Sequence, residues 1–249
     1  FDTTILDKLE NKQDRRVDFI HRTLADLQQQ LKNAGSSFLV ECGEPEVVWK
    51  SILGRYDVKA VTVNHDHEPY AVERDARISA MFASRNIPFR SFKDISIFER
   101  GEVVKDDGKP YTVFTPYMKK WRAQFTPDMM QGFPSEDHLN GLWPTPPLPL
   151  PSLEAIGFQQ TDLVIPPTEL TNDLLTHYPE TRNLPAMNGT SRMSAHLRFG
   201  TVSVRELVRR SFTASPVYLN ELIWREFFMQ ILWHFPHQER AFKPAYDRI

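Results

Sequence analysis

Cysteine is almost absent from this chain. Cys42 is the only one in 249 residues, so there is neither an intrachain disulfide nor a cysteine-based zinc site. No apolar run approaches the roughly 20 residues that span a bilayer. Charge of neither sign dominates, the formal net charge being −2. The common nucleotide and nucleophile signatures are missing too: no G-x-G-x-x-G, no Walker loop and no G-x-S-x-G occurs. That leaves ordinary dinucleotide oxidoreductases, P-loop kinases and α/β-hydrolases without their motifs. There is no internal repeat. Disulfide-rich miniproteins, helix-spanning membrane proteins and zinc fingers are excluded.

What is present is ordinary for a globular chain with ample core: 41% hydrophobic, 12% aromatic and 25% charged residues. Proline is the exception, with 19 residues. The small net charge also hides an asymmetry. Residues 182–249 hold ten Arg/Lys against five acids (Glu206, Glu221, Glu226, Glu239 and Asp247). Their local +5 leaves −7 on the first 181 residues. A basic, aromatic-rich segment suits either a nucleic-acid face or a solvated helical surface.

Along the first half, helix and strand patterns alternate. Val17, Ile20, Leu24, Leu27 and Leu31 fall at helical spacing, which predicts a helix over 13–34 stopped by Gly35. A strand-type run follows at 37–41, then a helix over 45–53 opened by Pro45. A β-branched strand at 59–63, a helix over 71–85 and a strand at 87–92 continue the series. Strands separated by helices predict an α/β fold with a doubly wound, Rossmann-like parallel sheet. With about three strands the sheet reads as incomplete, and sequence is expected upstream. Between residues 133 and 151 lie Pro134, Pro144, Pro146, Pro147, Pro149 and Pro151, which predict an extended connector. From 166 onward the pattern is helical, with Thr201 or Ser203 capping a helix through Arg210. Residues 218–235 are apolar nearly all round, as in a helix inside a larger core. The expected division is residues 1–128, 129–165 and 166–249.

Three places carry candidate chemistry. At 188–194, Asn188 and Gly189 precede Thr190, Ser191, Arg192, Met193 and Ser194, just before a helical pattern. Hydroxyls, a guanidinium and helix N-terminal amides favour phosphate, and an ordinary Ser/Thr cap reads the same way. In the apolar helix, Glu221, Trp224, Arg225 and Phe228 share one face. A carboxylate beside an indole suits a planar heterocycle; a core tryptophan beside a Glu221–Arg225 pair is the competing reading. His65, Asp66, His67 and Glu68 follow the 59–63 strand, where α/β folds often place ligand groups. Without a third distant ligand, a polar exposed turn is expected there rather than a metal site. Cys42, with no paired histidine, reads as structural.

Beyond these readings, the sequence resembles the photolyase/cryptochrome family. The resemblance rests on HEPYAVERD at 67–75, YPETRNLPA at 178–186, GTSRMSAHLRFGTVS at 189–203 and LNELIWREF at 219–227, with FKPAYDRI at 242–249. It implies an α/β antenna domain (1–128), a Pro-rich linker (129–165) and the start of an all-helical FAD-binding domain (166–249). It also implies that the chain is a fragment, lacking the first strand–helix–strand and most of the FAD domain. As such it is expected to bind FAD weakly or not at all and to be inactive alone.

Carried over by position, Tyr178, Thr190, Ser191, Arg192, Met193 and Ser194 match FAD phosphate-binding residues, Met193 standing for the commoner leucine. Tyr218 and Arg225 match residues that line the flavin. Glu221 and Trp224 match the pair that holds a cyclobutane pyrimidine dimer. (6-4) photolyases usually carry glutamine where Glu221 stands, so the pattern implies cyclobutane-dimer repair in UV-damaged DNA, with a cryptochrome-like FAD light sensor as the alternative. For the antenna the resemblance leaves methenyltetrahydrofolate, a deazaflavin or no chromophore open; Tyr70 and Ala71 stand where folate-binding relatives carry an Asn-Glu pair, so the local residues support neither chromophore. A cytoplasmic monomer without membrane partner is expected.

Overall fold

The computed structural model describes residues 1–235; Arg240, Lys243, Arg248 and the 242–249 motif lie outside them. The chain forms two compact units, one of Phe1–Lys59 with Phe133–Pro167 and one of Ala60–Gly132 with Thr168–Ile249.

The first unit holds α1 (Thr3–Leu6), α2 (Arg15–Asn33) and α3 (Pro45–Arg55). Asp14 caps α2, its carboxylate accepting from the Arg16 N–H. The other end stops where expected. Gly35 takes φ 76°, its N–H donating to Lys32 O, while the Ser36 N–H donates to Leu31 O. These two bonds make a Schellman stop, which needs a residue free of a Cβ in the left-handed region. Buried Asp18 then ties the unit together, accepting from Arg22 Nε and Nη2 (2.8 Å each) and from the Thr161 N–H and hydroxyl (2.9 and 2.5 Å). Leu6, Val17, Leu153, Ile156 and Phe158 form its small core.

The 37–41 run is not a strand. Its backbone finds other partners: the Gln28 side-chain amide donates to Phe38 O and accepts from the Phe38 N–H, and the amino group of Phe1 donates to Glu41 O. A single parallel bridge joins Asp2 to Gly43. The proline-rich 129–165 segment holds only short 3-10 turns, the end of one at Pro127–Met130 and two more at Ser135–Gly141 and Glu154–Ile156; residues 133–165 are no free connector but part of this unit, with Leu153, Ile156 and Phe158 in its core. Cys42, read as structural, is exposed.

The second unit opens with β1 (Val61–Asn64), α4 (Pro69–Ala83) and β2 (Phe89–Phe92). The strands pair in parallel, Val61 opposite Phe89 through Asn64 opposite Phe92. A parallel pair joined by a crossover helix is the βαβ unit of an α/β fold. The sheet is small, two strands among the described residues. There follow α5 (Phe114–Gln124), α6 (Asn172–Thr181), α7 (Ser194–Phe199), α8 (Val204–Ala214) and α9 (Pro216–His234). Their apolar faces meet in a core around Tyr117, Trp121, Leu175, Leu207, Leu219 and Ile223. Truncating a residue buried like Leu175 to alanine typically costs about 2–5 kcal/mol.

Helix α9 is the spine of this core. Ser215 accepts from the Tyr218 N–H at 3.4 Å and Pro216 occupies the first turn, an N-terminal signal that the apolar pattern alone did not reveal. Ser203 stands at the N-cap of α8, with no side-chain cap bond. The expectation that α9 is buried all round holds for one side only: Leu219, Leu222, Ile223 and Phe227 are buried, but Phe228 is 60% exposed.

Candidate functional site

A cavity of about 560 Å³ opens within the second unit. Tyr178, Ser191, Met193, Ser194, Tyr218, Glu221 and Arg225 line one part of it, and the segment from His65 to Glu68 another. Leu197, Leu222, Met229 and Leu232 supply apolar wall. An apolar wall with a few convergent polar groups is the usual make-up of a small-molecule site.

Local sequence explains the hydroxyl-bearing side. Gly189 packs so closely on the end of α6 that a Cβ there would sit 2.8 Å from the carbonyl carbon of Thr181; only glycine fits. Three residues later Arg192 adopts φ 55°, a left-handed conformation that side chains normally avoid. The turn delivers Ser191 and Ser194 to the cavity, and the Tyr218 hydroxyl donates to Ser191 Oγ at 2.9 Å. Met193 is buried in the core beneath them. Thr190 and Arg192 are exposed and do not line the cavity. The helix that follows, α7, has six residues, so the macrodipole invoked from the sequence contributes little.

The face of α9 divides. Glu221 and Arg225 reach the cavity but not each other. Glu221 forms an ion pair with Arg182, whose guanidinium also lies over the Tyr178 ring. Arg225 donates to Ile95 O (2.6 Å) and Leu197 O (3.1 Å). Trp224 lies elsewhere: it stacks on Phe114 with ring centroids 3.6 Å apart and on Phe228 at 5.4 Å. Burial acts on the titration of the site. It raises the Tyr218 and Tyr178 phenols, the latter helped by the Glu221 charge, so both stay protonated donors. It lowers the Arg225 guanidinium from its ordinary value.

The His65–Glu68 segment is not a simple exposed turn. His67 is 5% exposed, and burial lowers its imidazole from the ordinary value. The partner missing from the local sequence is Glu99, with His65 Nδ1 2.7 Å from one carboxylate oxygen and His67 Nε2 4.0 Å from the other. No group of His, Cys, Asp and Glu suited to a metal ion occurs among the described residues. Glu68 pairs with Arg198 of α7 at 2.5 Å.

The family model for DNA photolyase matches residues 2–137. The chain belongs to the DNA photolyase family. Among curated relatives, the deoxyribodipyrimidine photo-lyase of Synechococcus sp. is 28% identical over 249 residues, covering 89% of this chain and 51% of the relative. The chain thus spans about half the length of the curated relatives it matches. Solved photolyases share its fold. A bacterial class III photolyase from Agrobacterium tumefaciens superposes with a TM-score of 0.71 at 22% identity, over 96% of this chain and 54% of that one. An archaeal photolyase from Sulfolobus tokodaii, solved with two FAD molecules, superposes with a TM-score of 0.67 at 22% identity, over 96% and 53%. No helix among the described residues is long and apolar enough to cross a membrane.

Proposed function

We propose that the full-length protein carrying this chain repairs cyclobutane pyrimidine dimers in UV-damaged DNA, using light and a bound reduced FAD. The observation that carries this reading is the convergence of Tyr178, Ser191, Ser194, Tyr218, Glu221 and Arg225 on one cavity. They come from separate stretches of sequence, and all six are among the residues that the family resemblance singles out.

The residues present fit such a cofactor. Hydroxyls at Ser191 and Ser194 are donors for a diphosphate, with Tyr178, Thr190 and Arg192 around the same turn and Met193 anchoring it from below. The apolar wall suits a flat ring system. Arg225 spends one N–H on each of two carbonyls and keeps the rest of its five donors for the flavin, beside Tyr218. When bound in its reduced form, FAD supplies the light-excited electron that splits the cyclobutane ring. The protein's part is to hold and orient. Glu221 accepts hydrogen bonds from the dimer's base edge, held at the cavity rim by Arg182 until the substrate arrives. Trp224 offers a stacking surface to the flipped bases, which take the place of Phe114 against its ring. Arg192 and Arg210, which pair with no carboxylate among the described residues, suit the phosphates of the duplex.

The test is dimer loss from thymine-dimer DNA with flavin-loaded full-length protein, in blue light and in darkness. Loss in light alone is the expected result. Bound, photoreducible flavin with no repair would overturn the substrate assignment and leave a light sensor.

A further inference from the structure

Among the described residues of the second unit, the most completely buried charge-bearing group plays no part in the reading above. Glu226 is 1% exposed, and its neighbours are all donors. One carboxylate oxygen accepts from the Ile97 N–H at 2.5 Å; the other accepts from the Phe98 N–H at 3.2 Å and from the Trp121 indole N–H at 2.6 Å. Three donors on one buried carboxylate leave neither oxygen without a partner, and such a network holds its members in a single arrangement. The segment it grips is the one that Arg225, the preceding residue, grips through Ile95 O. Arg205 of α8 donates to Asp94 Oδ1 at 2.6 Å, and Gln230 of α9 donates to Glu99 O at 2.9 Å. Residues 94–99, which leave β2, are therefore fastened by four helix side chains, with Glu226 at the centre. Ile95 and Arg225 lie on the cavity wall, and Glu226 lies behind it.

We propose that Glu226 is a positioning residue for the cavity: by fixing the Ile97–Phe98 backbone and the Trp121 indole against α9, it sets Ile95 O, and through it the orientation of the Arg225 guanidinium toward the cofactor. This rests on the proposed FAD reading. Glu226 itself touches no ligand. A glutamine in its place keeps the shape but turns an N–H₂ toward an N–H donor, so at least one of the three bonds is lost.

The experiment compares wild type, Glu226→Gln, Arg225→Ala and the double variant in the full-length protein. It uses FAD dissociation constants and, without any cofactor, the ¹H–¹⁵N side-chain signals of Trp121 and Arg225. Above pH 7, where the Glu226 carboxyl is ionised, Glu226→Gln is expected to weaken FAD binding about tenfold, the scale of one lost charge-assisted bond. In the Arg225→Ala background it should add almost nothing, because its effect runs through Arg225. The cofactor-free Arg225 signal should move as well as that of Trp121. Leu175→Ala, a core truncation outside the network, should lower the melting temperature and leave the FAD constant unchanged. If Glu226→Gln loses the same factor with and without Arg225, or the Arg225 signal stays in place, Glu226 is merely structural and the proposal falls. Should Glu226→Gln not fold, Trp121→Phe removes one donor and reads the same coupling. Wild type that binds no FAD would overturn the cofactor reading, while the Arg225 signal still decides the role of Glu226.

Discussion

Single residues decide the shape of this site more than composition does. Gly189 is the clearest case, because the carbonyl carbon of Thr181 stands where a Cβ would crowd it. Gly189→Ala is expected to push residues 190–194 away from α6. Overpacking of this kind costs about 1–3 kcal/mol. Flavin content per purified protein should fall together with the melting temperature, and an unchanged flavin-to-protein ratio would remove Gly189 from the site. The same scale shows where sequence reasoning reached its limit. Glu221 and Arg225 stand four residues apart and invite an i,i+4 pair, yet Glu221 takes Arg182 and Arg225 takes two backbone carbonyls. Helical spacing names the face a residue occupies. It does not name the partner that another segment brings to it.

At the scale of elements, the helices were legible and the sheet was less so. Repeating apolar positions and stop signals such as Gly35 act locally, and α2, α3 and α4 appear within a few residues of where their patterns lie. A strand needs a partner. Residues 59–63 and 87–92 find one another, whereas 37–41 has its backbone groups taken by Gln28 and the chain's first residue. The start of α9 went unread because Ser215 and Pro216 sit among other small polar residues. Ser215→Ala removes the cap and should destabilise the second unit by about 1 kcal/mol, measured as a shift in urea midpoint at constant slope.

For the molecule as a whole, two buried carboxyl groups should give the two units opposite responses to pH. In the first unit, burial works to raise Asp18, but its bonds from Thr161 and Arg22 prevail and hold it below its ordinary value. Its contribution is therefore present above about 3.8 and is lost as pH falls through its lower folded value. In the second unit, burial pushes Glu226 up to about 7 against the pull of Trp121, Ile97, Phe98 and Arg225. The folded form then holds a proton that the unfolded chain releases near 4.5, so stability declines as pH rises from there to about 7. Hydrogen exchange of α2 and α9 amides across pH 3–8 should show these opposite slopes. Glu226→Gln should flatten the α9 slope alone. A shared pH profile for both helices would contradict the assignment.

The sequence by itself determined the α/β class, most helix positions and the stretches that carry the family resemblance. Each of these depends on residues near one another in the chain, where side-chain period, proline and glycine act directly on the backbone. Only the tertiary structure decided that Ser191, Tyr178, Glu221 and Arg225 share a cavity, that Trp224 stacks on Phe114, that His67 lies buried near Glu99, and that Glu226 grips the segment leaving β2. The physical reason is common to all four. Burial and hydrogen bonding are satisfied by whichever donor, acceptor or ring the fold brings within reach, and those partners lie from 27 to 129 residues apart in the pairs Ser191–Tyr218 and Ile97–Glu226.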